Sequence, residues 1–172
     1  NYLYSDKNLD EYWKNNLKKD KNFKIGICWK GKLYSHDCFL EHQTKKRMAY
    51  LDAFASLSNV SGVSIYSLQQ VNSEDELRPK DKSFKINSFG SDFDKTHGAF
   101  MDTASIIKSL DLVITVDTSI AHLAGGLGAK TWAMLPYNST WRWHLDKKNT
   151  PWYPNMQLFR QSKPDDWKSV VQ

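Results

Sequence analysis

The sequence has 172 residues, 40% of them hydrophobic and 25% charged, with a formal net charge of +5 at pH 7. A chain of this length can bury a hydrophobic core as one domain, and its composition is ordinary for a globular protein. No stretch of the sequence approaches the roughly 20 apolar residues that a membrane-spanning helix needs. The charge suits anionic partners, namely nucleotides, sugar phosphates, nucleic acid or an acidic membrane, and a solvated lysine-rich face explains it equally well. Two cysteines without a C-x-x-C motif are typical of a reduced, cytoplasmic protein.

The first predicted element is a helix over residues 6–19, where apolar side chains recur at helical spacing behind an aspartate that can cap it. We assign residues 1–22 to this lead-in helix and residues 23–172 to one Rossmann-like domain. A polar loop of residues 30–46, unusually long for a compact domain, follows the first strand of that domain.

Strands and helices alternate along the rest of the chain. The strands are predicted at 23–29, 63–68, 84–87, 112–116, 131–135 and 156–161, and the helices at 47–58, 102–109, 119–127 and 164–171. This alternation predicts right-handed β-α-β units, and therefore an α/β fold with a single doubly wound, mainly parallel sheet.

Ligands of doubly wound sheets bind beyond the carboxyl ends of the strands. The strand 112–116 is followed there by Asp117, Thr118 and Ser119 at a helix start, with His122 one turn later. The N–H groups and dipole of such a helix start suit a diphosphate, and the two hydroxyls can add donors. We expect Asp117 to cap the helix by accepting from its first N–H groups; a second contact with sugar hydroxyls stays open. His122 either faces the anion or is a structural hydrogen-bonding residue.

Residues beside other strands converge on the same edge. Lys30 follows the first strand and Arg47 ends the long loop, so both can neutralise phosphate. Gln69 follows the second strand and can contact a base or ribose. Phe100 and Met101 precede the strand 112–116 by one helix and could sandwich a nucleobase beside Asp102, although a helix cap also explains the aspartate.

Three further patterns bear on possible ligands: a tryptophan-rich segment, a glycine cluster and four cysteine and histidine residues. The segment 139–161 is rich in tryptophan, and its rings either fill a groove or face a second domain; nucleic-acid stacking would need a basic cluster between them. The glycines at 125–128 end a helix instead of preceding one, which argues against NAD or FAD. The spacing of four residues matches no usual zinc site, so we expect no metal: Cys28, His36, Cys38 and His42.

Several segments together resemble a known family. They are DLVITVDTSIAHLAGGLGAKTWAMLP, WRWHLD and PWYPNMQLFRQ, with FKIGICWKG and YSLQ earlier in the chain. They resemble the donor-binding half of bacterial glycosyltransferases attached to tetratricopeptide repeats, which are similar to the ADP-heptose:lipopolysaccharide heptosyltransferases. The resemblance implies the C-terminal half of a GT-B fold, a nucleotide-sugar in the cleft between two Rossmann-like domains, and inverting transfer without metal or cofactor.

The resemblance also implies roles for individual residues. Donor phosphates and sugar would be held by Asp117, Thr118, Ser119 and His122, with Arg47 and Lys30 beside the phosphates; the nucleoside would lie near Gln69, Met101 and Asp102; the acceptor or the other domain would lie near Trp141 and Arg142. The sequence departs from the family pattern in the long loop: Met48 follows Arg47 where related chains have serine, and the stretch before Arg47 is lengthened and contains cysteine and histidine.

The catalytic base of such enzymes lies in an N-terminal acceptor domain, and 172 residues cannot contain both halves. We therefore expect an excised piece of a longer enzyme, inactive alone, whose partners are that N-terminal domain and a glycan, lipid-linked sugar or protein acceptor, without nucleic acid. The alternative is a non-catalytic nucleotide or sugar-phosphate binding module or a protein-interaction module.

Overall fold

The elements lie in the order that the sequence predicts. The computed structural model describes residues 2–31, 45–69, 79, 83–145 and 147–171. The strands are β1 Phe23–Cys28, β2 Val63–Ser67, β3 Leu112–Val116, β4 Thr131–Leu135 and β5 Met156–Arg160. The helices are α1 Lys7–Leu17, α2 Met101–Ile107, α3 Ser119–Leu127 and α4 Lys168–Val171, with 3₁₀ helices at Leu51–Asn59 and Trp141–Trp143.

All five strands form one sheet in the order β2-β1-β3-β4-β5, and every neighbouring pair is parallel. The chain leaves β1 towards β2 on one side and returns to β3 on the other, so the strand order reverses between β1 and β3. A crevice opens beyond the carboxyl ends of two strands at such a reversal. The predicted doubly wound α/β fold is therefore confirmed.

Hydrophobic cores cover both faces of the sheet. On β3, Leu112 and Ile114 belong to one core together with Phe54, while Val113 belongs to a second core on the opposite face with Ile107 of α2. All five residues of β3 are buried, as expected for a central parallel strand whose sequence is a continuous apolar run. Because β3 is central and buried, the turn that follows it has a fixed position.

Three predicted elements differ in the structure. The α-helix predicted at 47–58 is replaced by a shorter 3₁₀ helix, Leu51–Asn59, in which Ser58 Oγ donates to the Ala55 carbonyl oxygen and competes with regular helical bonding. The strand predicted at 84–87 is reduced to one bridge between Asn87 and Tyr66 at the edge beyond β2. The last helix begins only at Lys168 because Asp165, with a φ of 62°, is in the left-handed region that breaks a helix.

Some predictions fall outside the described residues. They include most of the loop 30–46, and with it three of the four residues weighed as zinc ligands: His36, Cys38 and His42. Among the described residues, no cluster of three or more His, Cys, Asp or Glu side chains could hold a metal. No helix in the described part of the chain has the length and apolarity to cross a membrane.

Candidate functional site

Backbone and side-chain groups from four segments meet at the reversal between β1 and β3. The backbone N–H of Lys30, just after β1, donates to Gln69 Oε1 at 3.0 Å, and Gln69 follows β2. From the end of the long loop, Arg47 Nη1 lies 3.7 Å from Asp117 Oδ2, and Asp117 follows β3 beside Thr118. We call these five residues the switch-point cluster. The predicted convergence of strand ends on one edge is thus present in the structure.

Cys28, the last residue of β1, links the parts of this cluster. Its Sγ lies 3.5 Å from Gln69 Oε1 and 3.8 Å from Thr118 Oγ1. Burial raises the pKa of the Cys28 thiol to about 11, so the thiol stays protonated at neutral pH and is a poor nucleophile. Sequence reasoning weighed Cys28 only as a metal ligand and missed this packing role; its position at the end of a buried strand was the available signal.

The start of α3 has no side-chain cap. Thr118 is the N-cap residue and makes no capping hydrogen bond; its Oγ1 lies 3.2 Å from Thr115 Oγ1. The prediction that Asp117 caps this helix is wrong, because its carboxylate is directed at Arg47. The first N–H groups of α3, next to the exposed Ser119, therefore have no side-chain acceptor among the described residues.

Asp117 is a buried carboxylate with incomplete hydrogen bonding. It is 6% exposed, and its Oδ2 has no hydrogen-bond partner in the described part of the chain. The 3.7 Å separation from Arg47 is an ion pair but is too long for a hydrogen bond. A buried acceptor left unmatched is costly, so this oxygen is suited to accept a hydrogen bond from a ligand hydroxyl.

His122 lies one helical turn beyond this corner and is oriented by two aromatic residues. Its ring stacks on Trp143 with centroids 5.2 Å apart, and its Nδ1 lies 2.8 Å from the Tyr153 hydroxyl. Burial lowers the pKa of His122; the charge of Asp117 opposes that effect and the charge of Arg142 adds to it. His122 is therefore neutral at pH 7. Tyr153 accepts a hydrogen bond from the Tyr2 hydroxyl, which favours donation of its own proton to Nδ1 and leaves the proton of the imidazole on Nε2.

Glycine at position 125 makes this arrangement possible. A Cβ on Gly125 would lie 2.4 Å from a ring carbon of Tyr153, closer than two carbons can pack. The glycine lets the tyrosine ring lie against α3, one turn from His122. Gly128 ends α3 in the left-handed conformation, with a φ of 76°. These glycines thus serve packing and helix termination at the end of α3, in agreement with the argument against a dinucleotide fingerprint.

Beside His122 is a cavity of about 340 Å³, which we call the aromatic cavity. Trp141 and Trp152, 71% and 52% exposed, lie perpendicular to each other with centroids 6.4 Å apart. The guanidinium of Arg142 lies 5.1 Å from the centre of the Trp141 ring. The full lining is Tyr2, His122, Trp141, Arg142, Trp143, Trp152 and Tyr153. The predicted surface residues Trp141 and Arg142 therefore share a concave site with His122.

The two residues predicted near a nucleobase have separate surroundings. Asp102 is 2% exposed and accepts hydrogen bonds from Trp13 Nε1, His97 Nδ1 and the backbone N–H of Asp94, at 2.9 to 3.1 Å. Its carboxylate thus joins α1 to the start of α2, and we replace its predicted nucleoside contact with this structural role. Met101, 38% exposed, begins α2 on the carboxyl-end side of the sheet and stays a candidate contact.

Comparison with known proteins gives structural matches only. No protein-family model matches the sequence, and no curated protein matches it. The Escherichia coli ADP-heptose lipopolysaccharide heptosyltransferase II aligns with a TM-score of 0.62 over 98% of this chain and 50% of its own, at 10% sequence identity. The E. coli heptosyltransferase WaaC with ADP-2-deoxy-2-fluoro heptose aligns with a TM-score of 0.53 over 95% of this chain and 43% of its own, at 12% identity.

A further structure of WaaC, with ADP, aligns with a TM-score of 0.52 over 95% of this chain and 44% of its own, at 11% identity. The chain thus spans half or less of the length of these enzymes. At such low identity the likeness shows the fold, and the predicted Rossmann-like architecture of a GT-B glycosyltransferase is confirmed at that level.

Proposed function

We propose that this chain is the nucleotide-sugar-binding, C-terminal domain of a longer glycosyltransferase. The observation that carries the proposal is the switch-point cluster: the Arg47 guanidinium, the Lys30 backbone after β1, the Thr118 hydroxyl and an uncapped helix start meet at the reversal of a doubly wound sheet. The fold shared with enzymes solved with ADP or an ADP-sugar supports the same assignment.

The cluster suits a diphosphate leaving group. The N–H groups at the start of α3 and the hydroxyls of Thr118 and Ser119 can donate to its oxygens, while Lys30 and Arg47 can balance the charge that develops as the glycosidic bond breaks. We propose that these two cations take the role that a divalent metal has in other transferases, which makes transfer metal-independent. Asp117 Oδ2, a buried acceptor that lacks a hydrogen bond, would receive a hydroxyl of the donor sugar.

For the nucleoside we propose Met101 as a contact at the same edge. Gln69 Oε1 already accepts from the Lys30 N–H, so Gln69 positions the loop after β1 at the phosphate end of the nucleoside site. Inversion at the anomeric carbon would need a base outside this chain, in an N-terminal acceptor domain. We propose that this acceptor domain and a tetratricopeptide-repeat region belong to the same bacterial, cytoplasmic protein. Its acceptor would be a glycan, a lipid-linked sugar or a protein.

Isothermal titration calorimetry of the chain with ADP, UDP, GDP and their sugar conjugates tests the proposal. We expect one nucleotide series to bind, with unchanged affinity after addition of EDTA. Arg47→Gln should weaken that binding about tenfold or more, since a charged hydrogen bond is worth roughly 1.5–3 kcal/mol. The control is Lys130→Gln, which removes an exposed cation before β4, at the opposite edge of the sheet. Absence of binding for every nucleotide at millimolar concentration would overturn the assignment.

The alternative of a non-catalytic binding module predicts the same nucleotide binding, so calorimetry cannot separate the two. The gene that encodes the chain can separate the enzyme from the module. An upstream domain with an acidic side chain facing the cleft, and product of inverted configuration from the full-length protein, are expected for the enzyme. Nucleotide binding without turnover by the full-length protein would favour the module.

A further inference from the structure

The aromatic cavity is concave and open, and it lies outside the switch-point cluster. Its volume of about 340 Å³ is at the lower end of the range for small-ligand pockets, roughly 300–1,000 Å³. Its two outer walls, Trp141 and Trp152, are large aromatic side chains that remain more than half exposed. Exposed aromatic rings grouped in a concavity indicate a binding surface.

The shape of these walls favours one kind of ligand. Trp141 and Trp152 meet at 85°, so they form a corner with two faces at right angles. A planar base can stack on only one such face. A sugar ring can place C–H groups against both, because C–H groups point outwards from its faces and its edge, and aromatic faces attract such weakly positive hydrogens.

The polar groups of the cavity are mainly donors. Arg142 carries five N–H groups that cannot accept, and the indoles of Trp141 and Trp152 carry one N–H each. His122, with Nδ1 bonded to Tyr153, presents Nε2–H, and that nitrogen has no partner among the described residues. Such a set suits a ligand rich in oxygen acceptors. Sugar hydroxyls and ring oxygens meet that requirement.

We propose that the aromatic cavity is a saccharide subsite, in which one sugar ring packs into the corner of Trp141 and Trp152 and accepts hydrogen bonds from Arg142 and His122. His122 joins this subsite to the switch-point cluster, because it lies one helical turn after Thr118. Whether the sugar belongs to the donor or to the acceptor rests on the proposed function, whereas saccharide binding itself does not.

Saturation-transfer NMR on the 172-residue chain, with methyl glycosides of hexoses, N-acetylhexosamines and a heptose at millimolar concentration, tests this subsite. We expect saturation of the C–H protons of at least one glycoside, and a roughly tenfold weaker affinity in Trp141→Ala and in Trp152→Ala, the cost of one lost stacking face. The matched control is Tyr137→Ala, which removes a 45% exposed ring outside the cavity and should leave the signals unchanged.

A second arm identifies the source of the sugar. For a donor sugar, Trp141→Ala weakens binding of the nucleotide-sugar but leaves the nucleoside diphosphate unaffected. For an acceptor sugar, free glycosides still bind when the nucleotide-sugar is saturating. Both results support the subsite.

The failures of the two proposals are distinguishable. If nucleotides bind while no sugar, free or conjugated, responds to loss of Trp141 or Trp152, the subsite is wrong and the proposed function stands. In that case, Trp141 and Trp152 contact a protein surface such as a second domain. If glycosides bind and no nucleotide does, the subsite stands and the proposed function is wrong.

Discussion

The switch-point cluster and the aromatic cavity adjoin each other, yet they are built in different ways. The cluster is made by topology: parallel strands bring loops from distant parts of the sequence to one edge, and small polar residues occupy the turns. The cavity is made by side-chain packing of the segment after β4 against α3. The difference indicates that the position of the first site is set by the sheet, whereas the shape of the second depends on individual rings.

The largest expected effect is that of Trp143→Ala. Trp143 is fully buried beneath the cavity, so we expect a loss of about 3–5 kcal/mol in the free energy of unfolding, measured by urea denaturation. Trp141→Ala, at a 71% exposed ring, should stay within about 0.5 kcal/mol of the wild type. Should Trp143→Ala fail to fold, Trp143→Phe provides a milder version. A loss below about 1 kcal/mol for the alanine variant would show that packing of this ring is not what holds the cavity.

Gly125→Ala tests whether the packing of Tyr153 against α3 requires a glycine. The added Cβ meets the Tyr153 ring at 2.4 Å, and we expect a loss of about 1–3 kcal/mol together with displacement of the ring. Gly126→Ala is the matched control: its Cβ meets Cδ1 and Cγ of Leu3 at 2.6 and 2.9 Å, but Leu3 is 37% exposed and can shift as a whole, so the cost should be smaller. Equal unfolding free energies for the two variants would contradict the account of why position 125 is glycine.

Tyr153→Phe removes one hydrogen bond and keeps the ring. We expect about 1 kcal/mol of destabilisation and, in long-range ¹⁵N NMR spectra, a shift of His122 from the Nε2–H tautomer towards a mixture of both. Tyr2→Phe, which removes only the 3.3 Å bond to Tyr153, should leave the His122 spectrum closer to that of the wild type. An unchanged tautomer in Tyr153→Phe would mean that this hydroxyl does not orient the imidazole.

The smallest expected effect is on the pH dependence of stability. Burial holds the pKa of His122 below its ordinary value of 6.5, so the unfolded chain takes up a proton before the folded one. The contribution of His122 to stability is therefore complete above pH 6.5 and declines as pH falls below that value. His122→Gln should flatten this part of the profile, measured as urea midpoints at several pH values. A midpoint difference between the two proteins that does not change with pH would contradict the lowered pKa.

Much of the cluster could be predicted from sequence, because its pattern is local. The apolar run of β3, the polar turn after it and the glycine at the end of α3 gave element bounds that the structure confirms at Leu112–Val116 and Ser119–Leu127. The convergence of Lys30, Arg47 and Gln69 on that turn follows from the rule for parallel sheets.

The features of the site that sequence reasoning missed depend on contacts between residues far apart in the chain. Asp117 was expected to cap α3, but an ion pair with Arg47, 70 positions earlier in the numbering, redirects its carboxylate. Asp102 was expected at a ligand, but Trp13 of α1 donates to it. The Gly125–Tyr153 packing leaves no local pattern in the sequence. Only the three-dimensional structure shows these pairs.

The most direct test of the central claim is an amide chemical-shift map of the ¹⁵N-labelled chain during titration with the nucleoside diphosphate that binds in calorimetry. The account predicts the largest shifts at the N–H groups of Ser119 and Ile120, at the start of α3, since the Ala121 N–H already donates to the Thr118 carbonyl oxygen. Largest shifts instead on the lysine-rich surface between α1 and the start of β1, at Lys14, Lys18, Lys21 and Lys24, would contradict it.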